Sequence, residues 1–210
     1  MKKHSVREKK KKINAIISAA EKIFFEKGFH RATIEEIAAL AGMAKGTIYN
    51  YFSSKSELCL AICHTIMRRL KNRFLRISES KQTGLVCLLE LIDDNYRYFK
   101  RYPKHFQVIQ TFAMHRNECD SSREMFREMQ NEIDAINSIF VQVIKEGQKD
   151  GSISKRYGAE ILAATLWGNV TGILIRQPIV TLKKEKNFAF LPDDIQATVR
   201  LLFSTALPAG

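Results

Sequence analysis

Residues 33–58 read TIEEIAALAGMAKGTIYNYFSSKSEL, and this stretch decides the fold. Thr33 and Glu36 stand at capping-box spacing, so the hydroxyl can accept from a helical N–H while the carboxylate reaches back to the cap amide. Ile34, Ile37, Ala38 and Ala41 then recur on one helical face, and Gly42 falls where a left-handed C-terminal residue is wanted. After the turn at Gly42-Met43, a second short helix is expected through AKGTIYNYF, with Ile48 and Phe52 inward over Met43. Its other face shows Lys45, Gly46, Thr47, Tyr49, Asn50 and Tyr51. A cation, a bare backbone, hydroxyls and an amide suit a major groove, where phosphates flank base edges that offer donors and acceptors. The spacing therefore predicts a helix-turn-helix; taken alone it also fits a small helical hairpin with a solvated face.

The segment GTIYNYFSSKSEL resembles the most recognisable part of the TetR/AcrR (tetracycline-repressor-like) transcriptional regulators, roughly G-T-[IL]-Y-x-[YH]-F-x-x-K-x-x-L. The likeness extends back through the Thr33 helix to an amphipathic helix ending near Phe29, about the first quarter to third of the chain. It implies a homodimeric, ligand-responsive repressor that binds a palindromic operator. Tyr49 and Lys55 match the family's phosphate-contacting positions, whereas Asn50 falls at a variable one. Thr33 is expected to hold backbone beside Lys55.

Charge distribution agrees with a polyanion partner. The chain carries +12, and residues 1–80 hold 17 Lys+Arg against 7 Asp+Glu (+10), leaving 17 against 15 (+2) for residues 81–210. The basic excess belongs to the segment with the helix-turn-helix. The Lys-rich start, including Lys9 to Lys12, is either a solvated tail or an arm that neutralises phosphate or enters the minor groove.

Working outward, Ile13, Ile16, Ile17, Ala20, Ile23 and Phe24 form the stripe of a first helix that ends at Gly28. Ser54 and Glu57 repeat the capping-box spacing, and Leu58, Ile62, Ile66, Leu70, Phe74 and Ile77 keep a helical period to about Glu79. Such a helix, nearly 40 Å at ~1.5 Å per residue, can link a small head to a second domain. The expected division is residues 1–54 as the DNA-binding domain and residues 55–210 as an effector-binding and dimerisation domain.

Beyond Lys81 the pattern is purely helical, which makes the fold class all-α: a three-helix head joined by a long helix to a helical bundle. Pro103 opens one helix, Ser121 and Glu124 cap another that stops at Lys149-Asp150-Gly151, and a further helix spans about Tyr157 to Gln177 before Pro178. That last helix is apolar on every side, with Ala164, Gly168 and Gly172 recurring every four residues. It must be covered all round, most economically by a partner subunit; a buried helix in a monomer is the alternative. A final helix opened by Pro192 supplies Ile195, Val199, Leu202, Phe203 and Ala206. The resemblance implies a homodimer through the two C-terminal helices.

An effector site of unknown ligand is expected between the bundle helices. Tyr96, Phe99, Phe112, Met125, Met129, Phe140 and Trp167 supply an apolar lining, and His105, His115, Asn169 and Thr171 supply polar contacts. The same aromatics at helical spacing also suit a plain core. Enzymatic motifs are lacking: no Gly-rich phosphate loop, nucleophile elbow or HExxH occurs. Cys59 with Cys63, and His115 with Cys119, are too few ligands for a closed metal site. No cofactor is expected. The apolar run Ile161–Ile175 is short of the ~20 residues a bilayer demands, and the unpaired cysteines with no apolar leader read as a cytoplasmic protein. Two other classes remain: an activator or architectural DNA-binding protein of this fold, and a small-molecule-binding or enzymatic helical protein with an incidental basic head.

Overall fold

A computed structural model describes residues 2–115 and 123–182, and among them every regular element is a helix. In chain order these are α1 (Lys2–Lys27), α2 (Ile34–Ala41), α3 (Lys45–Tyr49), α4 (Lys55–Ser78), α5 (Gly84–Arg101), α6 (Pro103–His115), α7 (Arg123–Asp150) and α8 (Ala159–Leu182). The Ser121 cap, Cys119 and the helix expected from Pro192 lie outside the described residues.

The helices form two compact units, residues 1–68 with 104–132 and residues 69–103 with 133–210. The first unit therefore holds more than residues 1–54: it takes in the first half of α4, nearly all of α6 and the start of α7. Its interior is built by Ile16, Ala20 and Phe24 of α1, Ile37 of α2, Ile48 of α3 and Leu58 and Ile62 of α4, all at most 4% exposed. Phe29 closes over α1, with its ring edge-on to Phe24 at 5.6 Å. α6 joins this unit through side chains on both sides of its first turn. Lys104 Nζ donates to the Phe25 carbonyl at 2.5 Å, and the buried His105 meets the Glu21 carboxylate at 2.9 Å, its ring tilted against Phe25.

In the second unit Leu70 and Phe74 of α4, Leu88, Leu91 and Ile92 of α5, and Ile136, Phe140 and Ile144 of α7 are buried. Arg73 grips Asp94 with two N–H groups, and its guanidinium lies 5.6 Å over the Tyr98 ring. α5 and α7 approach to backbone contact: a Cβ on Gly84 would stand 2.2 Å from the Gly147 nitrogen. The carboxylate of Asp150 then accepts from the Gly84 N–H at 2.8 Å, and the Ser152 hydroxyl from the Leu85 N–H at 3.1 Å. The turn that ends α7 thus satisfies free amides at the start of α5.

Four local expectations are corrected. The Lys-rich start is helical, because Lys, Arg and Glu are good helix formers and prolong the stripe of α1 without needing burial; residues 6–12 are all exposed. α3 closes at Tyr49 rather than Phe52, its last turn tightening as Tyr51 N–H bonds to the Ile48 carbonyl at 2.9 Å, a common way to satisfy helix-end carbonyls. At the start of α4 only half the box forms: Ser54 Oγ accepts from Glu57 N–H, while the Glu57 carboxylate reaches Ser53 instead. α8 passes through Pro178 to Leu182; a helix tolerates a proline by forgoing one backbone bond and bending.

Candidate nucleic-acid interface

The head's geometry starts with the cap of α2. Thr33 Oγ1 accepts from Glu36 N–H at 3.3 Å, and Glu36 Oε2 accepts from Thr33 N–H at 3.2 Å, closing the capping box. At the other end Gly42 sits in the left-handed region (φ 67°, ψ 35°), and Met43 N–H returns to the Ala38 carbonyl at 2.9 Å. A non-glycine residue is disfavoured at that φ. The chain so turned enters α3 with Ile48 fully buried as an anchor.

Anchoring Ile48 inward forces its helical neighbours outward. Lys45, Gly46 and Asn50 are exposed, Tyr49 is 46% exposed, and Thr47 and Tyr51 are half-buried at the flanks. The structure thus brings the six groove-facing candidates onto one short segment. Gly46 has no heavy atom within 4 Å of where a Cβ would stand, so its surface is open on the outer side. Thr33, exposed, and Lys55, half-buried, complete the set on the neighbouring elements.

Lys55 does more than face solvent. Its ammonium donates to the carbonyls of His30 (3.2 Å) and Ala32 (3.1 Å) and lies 4.7 Å over the Phe29 ring. It therefore pins the loop that carries the α2 cap, and any phosphate it meets shares the ammonium with two carbonyls. Sequence spacing missed this role because the acceptors lie 23 and 25 residues away.

Two carboxylates whose ion pairs sequence reasoning passed over shape the same surface. Glu36, already in the cap, pairs with Lys27; Glu35 pairs with Lys45. The hydrogen bond to Lys45 holds the Glu35 carboxyl below its ordinary pKa, and Glu35 raises that of Lys45 in turn. Both side chains of the Glu35–Lys45 pair are about half exposed, 58% and 51%. The only hint in the sequence was two acidic residues in the first turn of α2.

The expected effector residues divide between the units. His105, Phe112 and Met129 are buried and Met125 is half-buried in the first, whereas Tyr96, Phe99 and Phe140 are buried and Trp167, Asn169 and Thr171 half-buried in the second. His115 ends α6, with its side chain outside the described ones. Phe140 meets Phe74 at 5.5 Å and Trp167 at 5.9 Å, both edge-on, and Asn169 returns its amide to the Thr165 carbonyl. A cavity of about 80 Å³ lies among Phe24, Phe29, Cys59, Lys104 and Val108 of the first unit, well below the several hundred Å³ of a ligand pocket. Cys59 and Cys63 both direct their thiols at the Val108 carbonyl inside the core. Among the described residues no cluster of three His, Cys, Asp or Glu is placed to hold a metal, and no helix is long and apolar enough to cross a membrane.

Residues 16–62 match the family model described as "Bacterial regulatory proteins, tetR family", a span that contains α2, α3 and the start of α4. Residues 16–62 thus carry a segment of the TetR-family type. The chain accordingly functions in transcriptional regulation through a DNA-binding head. Over a longer span it is 25% identical to the HTH-type transcriptional repressor BepR of Brucella suis biovar 1, covering 76% of this chain and 77% of that protein. Over the head it is 35% identical to the HTH-type transcriptional activator FasR of Mycolicibacterium smegmatis, covering 32% of this chain and 30% of that one. Among solved structures, the transcriptional regulator FadR from Bacillus subtilis in complex with stearoyl-CoA superposes with a TM-score of 0.69 at 20% identity, covering 92% of this chain and 97% of that one. That likeness is one of fold.

Proposed function

We propose that this chain is a cytoplasmic, homodimeric repressor that binds a palindromic operator and is released by a small, mostly apolar effector. The observation that carries the reading is α3: one fully buried anchor, Ile48, holds Lys45, Gly46, Tyr49 and Asn50 outward on the segment that bears the family match. Thr33 and Lys55 flank the groove-facing residues on the backbone side, and the residues of 1–54 form the DNA-reading part of the chain. A dimer accounts for the outer face of α8, where Ile161 is 62% exposed and Ala164, Thr165 and Gly168 are exposed beside it. Small residues at that spacing let a second copy approach closely, and two heads one helical turn apart match a palindrome.

The effector reading rests on the aromatic and Met-rich helices of residues 55–210 and on the fold shared with an acyl-CoA-bound regulator. A ligand that binds better to the state with misplaced heads lowers operator affinity by that differential affinity alone. Activation is the second reading, favoured by the head's 35% identity to an activator.

The test is to select fragmented genomic DNA on the purified chain at physiological salt and sequence what is retained. Enrichment of one or a few palindromes, with Tyr49→Ala weakening their binding while leaving the thermal midpoint within about 2 °C, supports the reading; truncating a side chain this exposed costs little stability. Uniform retention that vanishes with added salt refutes it. Release of the selected site by stearoyl-CoA tests the effector class, and transcription of the flanking genes on deletion separates repressor from activator.

A further inference from the structure

Exposed ion pairs contribute little to folding, yet the pair between Glu35 and Lys45 joins the first turn of α2 to the first residue of α3 on the outer surface of the head. Lys45 also lies 5.9 Å from the Tyr49 ring centroid, so its side chain lies along the groove-facing side of α3 rather than over the core. Glu35 differs from its neighbour in what it holds. Glu36 serves the cap of α2 through Thr33, so its carboxylate has a structural task; the Glu35 carboxylate instead meets Lys45, with its own backbone amide beside it.

We propose that Glu35 is a specificity-determining residue: it holds the Lys45 ammonium away from phosphates in chance encounters and yields it only where α3 seats fully on a cognate site. The inference rests on the operator reading above and deepens it. A cation that neutralises one phosphate steepens the dependence of log K on log salt by ~0.9 and strengthens binding by about 5-fold at ~0.15 M. An exposed carboxylate offers Lys45 a competing partner of comparable strength, so small differences in the distance from lysine to phosphate decide which anion wins. On random sequence, where α3 stands off from the groove, Glu35 keeps the lysine; on the operator the nearer phosphate takes it. Glu35 also places a negative charge among phosphates, which further weakens loose association.

The experiment uses the full chain, the palindromic duplex retained in the selection above and a random-sequence duplex of equal length. Glu35→Gln should raise random-duplex affinity about 5-fold and steepen its salt slope by ~0.9, while operator affinity rises less than 2-fold, so the specificity ratio falls. In a Lys45→Ala background the same change should raise random binding less than 2-fold. Random affinity unchanged in Glu35→Gln overturns the inference, as does a parallel fall for both duplexes, which would mark the pair as a purely structural brace. A 5-fold rise that persists without Lys45 also overturns it, because Glu35 would then act as a bare charge. If the wild-type chain shows no operator preference, the operator reading itself fails; if it prefers the operator and the variants behave alike, only the role of Glu35 fails.

Discussion

Gly46→Ala separates the stability of the head from its contact with DNA, because the two effects have opposite signs. Gly46 lies inside α3, it is exposed, and a Cβ built on it meets no heavy atom within 4 Å. Nothing in the fold opposes the methyl group. An alanine in the first turn of a helix loses less conformational entropy on folding, worth at most about 0.5–1 kcal/mol, so the variant should melt up to about 4 °C higher, given the size of the chain. At a DNA interface the same methyl group projects from the one position on the groove-facing side of α3 where bare backbone is offered. Holding α3 off the groove by a fraction of that projection loosens every contact made by Lys45, Tyr49 and Asn50 together. A tenfold loss of operator affinity, about 1.4 kcal/mol, is the expected minimum. Differential scanning calorimetry and a fluorescence-anisotropy titration with the selected operator read the two quantities on one preparation. A variant that melts higher and binds the operator as tightly as the wild type would refute the placement of Gly46 against DNA; a lower melting point would refute the stability reasoning.

Two further expectations concern the second unit. Gly84→Ala should cost about 3 kcal/mol or more in urea unfolding followed by circular dichroism, since its Cβ would lie 2.2 Å and 2.3 Å from backbone atoms of Gly147 and 2.7 Å from the Val143 carbonyl, and helix backbones cannot rotate aside. Gly147→Ala meets the Ile153 side chain at 2.6 Å and 2.7 Å and backbone only at 3.3 Å, the Cα of Gly84, and should cost less, about 1–2 kcal/mol; equal costs would argue against the close approach of α5 and α7. Asp150→Asn should lower the thermal midpoint at pH 7, with the gap to wild type closing in acid. Hydrogen bonds from Ser152, and then from the Gly84 amide, hold the Asp150 carboxyl below its ordinary value of 3.8. A depressed folded pKa stabilises above the unfolded value and is lost as pH falls through the folded one, so the gap should be constant above about pH 5 and shrink below 3.8. A gap that widens in acid would contradict the assignment.

What the sequence made legible was whatever its signals encode locally. The cap of α2, the left-handed Gly42 and the inward Ile48 each depend on residues within five positions of one another, and all three appear as read. Contacts made across long loops were not legible. The Lys55 ammonium closes on His30 and Ala32, and Asp150 caps α5 from 66 residues away; no periodicity points to either partner. The effector set shows the same limit in another form. Helical spacing marked Phe112 and Phe140 as inward residues, and both are buried, but inwardness does not say which compact unit a face belongs to. The pair falls one in each unit. The Lys-rich start shows the converse: its composition favoured a helix, and only the expectation of an arm obscured it.

The placement of α6 has the strongest bearing on how a ligand could be felt at the DNA. By position in the chain α6 belongs after the long helix, among residues expected to serve the effector. By contact it belongs with the head. Its first residues hold α1 at two points, Lys104 on the Phe25 carbonyl and His105 on the Glu21 carboxylate, and the His105 ring rests against Phe25 between them. α1 in turn packs on α2, whose Thr33 cap and Gly42 turn set the direction of α3. A displacement of α6 by even an ångström would have to break the part-buried hydrogen bond between His105 and Glu21 or carry α1 with it. Through that bond, and the one from Lys104, α6 is tied to the helix on which α2 packs.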